Sequence, residues 1–118
     1  RQSAMESVPP EILEQICGRM SRTELRSFIQ TSAFNYQVCY NVYRMKNLVL
    51  KRRILEAEER ARAVGRWIDL TNLTEKGTGI QVVLPNSPRN IGKMRIPGLN
   101  AFVSPERADE IVEILNTE

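Results

Sequence analysis

From Val8 to Ile29 the apolar residues keep helical spacing, and the run is interrupted only at Ser21-Arg-Thr-Glu24. That combination leaves few alternatives to a pair of short helices meeting at a corner. Pro9 and Pro10 stand where a helix can begin, because its first turn has no use for the N–H groups proline lacks. Ile12, Leu13, Ile16, Cys17 and Met20 then fall at i, i+1, i+4, i+5 and i+8, with Glu11, Glu14, Gln15 and Arg19 opposite. Gly18 weakens the last turn and Ser21 stops it. Ser21 to Glu24 has the form of a capping box, in which the hydroxyl serves the N–H three residues on and the carboxylate reaches back. The second helix presents Leu25, Phe28 and Ile29 on one side. A third starts near Ser32, with Phe34, Val38 and Val42 at four-residue steps; Tyr36, Tyr40 and Tyr43 beside them are read as core.

With 118 residues, the chain is one domain, or one small domain with an extension. Histidine is absent, which removes the commonest general base and the commonest metal ligand. The glycines are scattered singly and offer no phosphate-binding loop. The expectation is a chain without catalysis, cofactor or metal. Cys17 and Cys39 lie among apolar residues and are expected as buried reduced thiols, which fits the cytoplasm or nucleus. No apolar run approaches the roughly 18 residues of a membrane span. The residues before Met5 lack the apolar stretch of a secretory signal, and 1–7 are read as disordered or vector-derived.

The net charge of +3 is concentrated in residues 44–66, where eight basic residues face three glutamates. Leu50, Ile54, Ala57, Ala61, Val64 and Ile68 form one helical stripe there, ending near Gly65, with Glu56–Arg60 and Glu58–Arg62 as favourable pairs. The stripe is too short, and too rich in alanine, for a coiled coil, so intramolecular packing is expected. Further on, Ile80–Leu84, Lys93–Ile96 and Leu99–Val103 read as short strands. Ser104-Pro105-Glu106 opens a last helix with Ile111, Val112, Ile114 and Leu115 on its apolar side.

Val8-Pro-Pro-Glu-Ile-Leu13, then Ile16, the turn at Ser21, Glu24-Leu25, Phe28-Ile29 and Thr31-Ser32 together resemble an F-box. The likeness covers roughly residues 7–45, and the doubled proline is frequent among fungal members. Val8 replaces the usual Leu. The Trp common near the motif's end is missing, with Ala33-Phe34-Asn35-Tyr36 in its place. The resemblance implies a non-enzymatic adaptor that docks on a Skp-type protein and, through it, brings an unknown substrate to a cullin ubiquitin ligase. It implies helix-in-groove recognition through Val8, Pro9, Ile12, Leu13, Ile16, Met20, Leu25 and Ile29. Some of these must hold the helices together instead.

The expected architecture is mainly α: an F-box-like three-helix bundle at 8–45, a charged amphipathic helix at 46–66, and a small strand-and-helix extension at 67–118. Two other functions suit parts of the sequence. The basic segment, with Lys46, Lys51, Arg52 and Arg53, suits a nucleic-acid-binding helix, although its interleaved glutamates favour a solvated face. Leu13 and Cys17 resemble an elongin C-binding pair, with Ile12 and Ser21 departing from that motif.

Overall fold

The computed structural model describes residues 8–118; the reading of residues 1–7 lies outside them. The described chain is mainly helical. In order come α1 (Pro10–Gly18), α2 (Arg22–Ile29), α3 (Ala33–Ala63), β1 (Trp67–Asp69), β2 (Gln81–Val83), a 3-10 turn at Pro88–Asn90, β3 (Met94–Arg95), β4 (Ala101–Val103) and α4 (Pro105–Asn116). The chain forms two compact units, residues 1–47 and 48–118, and α3 belongs to both.

In the N-terminal unit the local signals act as the sequence dictates. Pro10 occupies the first turn of α1. The Ser21 Oγ accepts the Glu24 N–H at 3.1 Å, and the Glu24 carboxylate accepts the Ser21 N–H at 2.9 Å. That backbone bond, followed by the hydroxyl contact, holds the Glu24 carboxyl below the ordinary carboxylate range. Ser21→Ala is expected to cost about 1 kcal/mol, because the Glu24 N–H loses its partner. Urea unfolding checks this, and an unchanged midpoint would count against the box. The core gathers Leu13, Cys17, Leu25, Ile29, Cys39 and Tyr43.

Three expectations change here. Residues 33–63 form one unbroken helix where two were expected, because the shift from apolar to charged composition near residue 45 brings no Pro, Gly or cap. Cys17 and Cys39 are buried but bonded to each other instead of being reduced thiols. Both face the same core, with Cα atoms 6.2 Å apart, within disulfide reach. Of the three tyrosines, only Tyr43 is core; Tyr36 and Tyr40 stack on each other at the surface, centroids 4.8 Å apart.

The C-terminal unit packs a four-stranded sheet, ordered β2-β1-β4-β3, with α4 and the later part of α3. β1 and β4 run parallel, and the outer pairs are antiparallel. Of the expected helical stripe, Leu50, Ile54, Ala57 and Ala61 enter this core from α3, with Leu70, Val103, Ile111 and Ile114. Val64 lies past the helix end and is exposed, and Ile68 joins the core from β1 because the helix stops before it. α3 ends at Ala63, just before Gly65, whose φ of 70° suits glycine. Arg66 N–H reaches the Ala61 carbonyl and Gly65 N–H the Arg62 carbonyl, closing the helix end as a Schellman turn. The short strand β1 gave no sequence signal. α4 begins at Pro105 after Ser104, as expected, although the Ser104 hydroxyl makes no cap bond.

Candidate functional site

α1 carries the candidate surface. Its Leu13 and Cys17 are fully buried, one turn apart, and fix which way the helix faces. Burying a Leu side chain is worth about 2 kcal/mol, a large contribution for a helix of nine residues. Pro9, Ile12 and Ile16 follow at i, i+3 and i+7 and lie outside that core, with Ile12 46% and Ile16 38% exposed. Glu11, Glu14, Gln15 and Arg19 are exposed around the rest of the helix.

The eight residues named from the sequence therefore divide. Leu13, Leu25 and Ile29 belong to the core. Val8 and Met20 are half-buried against it. Pro9, Ile12 and Ile16 are open to solvent. Periodicity could not separate Ile12 from Leu13, because adjacent positions on one apolar arc look alike until packing chooses between them. The Leu13–Cys17 pair that resembles the elongin C motif is enclosed.

The basic residues of the C-terminal unit do not form one uninterrupted stripe. The Lys51 ammonium donates to the Thr117 carbonyl at 2.9 Å, and Arg62 pairs with Glu58 at 3.2 Å. Arg52 is exposed, while Arg53 lines a cleft. Lys46, in the other unit, is half-buried.

Several buried polar residues had no sequence signal. Arg22, 3% exposed, donates to the Tyr43 hydroxyl at 2.9 Å and the Asn47 side-chain carbonyl at 3.2 Å. The Glu58 carboxylate also accepts the Asn100 N–H at 2.8 Å, tying α3 to the turn before β4. Asp69 accepts from Lys93 and from both the N–H and the hydroxyl of Thr71. On the outer sheet face Trp67 stacks on Phe102 with centroids 4.8 Å apart, and Arg95 covers Trp67. No described helix is long and apolar enough to cross a membrane.

No family model matches the chain, and comparison with curated proteins and with solved structures finds no significant relative.

Proposed function

We propose that this chain is a non-enzymatic adaptor of the F-box kind, acting in the cytoplasm or nucleus. α1, α2 and the first part of α3 are its three-helix F-box-like unit. They dock on a Skp-type protein and so on a cullin ligase, leaving the C-terminal unit to meet a substrate. The observation that carries this reading is the division of α1. Leu13 and Cys17 face inward, while Pro9, Ile12 and Ile16 offer an apolar row outward. Isolated exposed apolar residues are common, but a row at helical spacing is what a groove-filling helix presents. The motif residues Glu24 and Leu25 have roles that support it, one as the cap and the other as a buried anchor.

Co-expression with a Skp-type adaptor tests the proposal. Wild type is expected to co-purify, and an Ile12→Asp, Ile16→Asp double variant is not. Burying two carboxylates in an apolar groove costs several kcal/mol, enough to abolish capture. Because both side chains are already partly in water, the variant should melt near the wild-type temperature. Equal capture of the two proteins, or failure of both, would sink the proposal.

A further inference from the structure

A second surface, wholly within the C-terminal unit, is not used by the docking of α1. A cleft of about 370 Å³ separates α3 from residues 77–82. Its α3 side holds Ala57 and Ala61, the small members of the buried stripe, so the space exists because nothing larger fills it. Val82 lines the opposite side. It pairs in register with the fully buried Ile68, so its side chain lies on the sheet face turned toward the core, yet it remains 61% exposed. β2 is also an edge of the sheet, with β1 on one side and, among the described residues, no strand on the other.

The charges around this cleft are specific. Arg53 and Arg60 line it, and neither forms an ion pair with another described residue, so the Glu56–Arg60 pair expected from the sequence does not form. Glu56 lies between them in sequence and lines it too. Arg53 and Arg60 are two turns apart, about 10 Å along the helix, so their long side chains reach same-face groups four residues apart, about 13 Å, on an extended peptide.

We propose that this cleft docks an extended acidic peptide by β-strand addition. The peptide pairs with the free edge of β2, lays an aliphatic side chain over Ala57 and Ala61, and gives carboxylates to Arg53 and Arg60. A strand added to β2 lies about 4.8 Å from it and sends alternate side chains to the face that carries Val82. Glu56 repels a carboxylate placed between the two arginines, which selects acid, aliphatic and acid at alternate positions of the strand, since only those share the face toward the cleft. A second copy of this chain is disfavoured as the occupant, because its own β2, Gln81-Val-Val83, brings no carboxylate to the arginines. Nucleic acid is disfavoured by Glu56 and by the apolar floor.

Fluorescence anisotropy of the full chain with a labelled, N-acetylated decapeptide carrying Glu, Val and Glu at alternate positions with Thr between them tests the proposal. Saturable binding is expected. An Arg53→Glu, Arg60→Glu variant should weaken it on the order of tenfold, while the same change at exposed Arg52 leaves it nearly unaltered. N-methylation of alternate peptide residues removes the strand donors and should abolish binding. Circular dichroism melts establish that the variants fold. The proposal is overturned by no binding to wild type, by equal binding to the double variant, or by unchanged affinity of the methylated peptide. Equal or tighter binding of the same peptide with Lys in place of Glu, or of a single-stranded decanucleotide, also overturns it, as does a dimer in sedimentation. None of these outcomes bears on α1, so this test and the Skp-type capture fail independently.

Discussion

Asp69→Ala is expected to destabilise the C-terminal unit by about 2–3 kcal/mol. The carboxylate ends β1 and is 3% exposed, where a lone charge is costly. It is stabilised by Lys93 and by Thr71, whose N–H and hydroxyl lie 2.9 and 2.6 Å away. Thr71 continues the connection, since its Oγ1 accepts the Ser104 N–H at 3.1 Å and its carbonyl accepts from Arg107 at 3.0 Å. Arg107 also reaches the Leu73 carbonyl and pairs with Glu110 at 3.1 Å. One carboxylate thus organises the turn after β1 and ties it to the start of α4. Breaking a fully buried pair costs about 3–5 kcal/mol; Lys93 keeps some access to water, which lowers the figure. Asp69→Asn keeps an acceptor for Thr71 and should cost about half as much. Trp67, the only tryptophan, sits on β1 and reports this unit in urea unfolding. A loss below about 0.5 kcal/mol in the alanine variant would show that the network is incidental.

The same group sets a pH dependence. Burial raises the Asp69 carboxyl's pKa, but the Lys93 and Thr71 contacts outweigh burial, and the result lies below the ordinary aspartate value. The native state therefore holds this proton more weakly than the unfolded chain does. The stabilisation is complete above the unfolded pKa, near 4, and is lost as pH falls through the lower folded value. Wild type should lose stability to acid below about pH 4 more steeply than Asp69→Asn. Parallel acid slopes for the two proteins would remove Asp69 as the cause.

Features determined within a few residues were legible in the sequence. The Ser21–Glu24 box, the proline starts of α1 and α4, and the segments holding β2, β3 and β4 are written in neighbouring side chains. What depends on distant partners was not legible. β1 has three residues and pairs on one side with β4, more than thirty positions later, so no local alternation could show it. The disulfide has the same character, because nothing in the spacing of Cys17 and Cys39 states that their helices face one core. The division of α3 at residue 45 failed for a different reason: charge composition marks what surrounds a helix, while breaks need Pro, Gly or caps. At the candidate docking surface the sequence grouped the apolar side chains of α1 and α2, and only packing divided them between the core and solvent. Arg22, Glu58 and Asp69 were hidden because isolated charged residues are ordinarily at the surface.

Reduction of the Cys17–Cys39 bond is expected to cost the N-terminal unit about 3 kcal/mol. The bond joins α1 to α3 across 22 positions, and closing a loop of that size in the unfolded chain accounts for roughly this amount. α1 depends on it because nine residues fall well short of the about 12–15 at which an isolated helix becomes marginal in water. The thermal midpoint should fall on the order of 10 °C in reductant, with two thiols titrating in the unfolded protein. An unchanged midpoint with both thiols counted would mean that the bond contributes nothing. Glutathione keeps most cytoplasmic and nuclear thiols reduced, so the reduced protein is the form that the proposed adaptor would use there. In that form Leu13 is the main inward anchor of α1. Leu13→Ala removes about 2–5 kcal/mol and is expected to abolish capture by a Skp-type adaptor under reducing conditions, while the disulfide preserves part of that capture under oxidising ones. Equal capture in both conditions would show that α1 does not need its anchor to present Ile12 and Ile16.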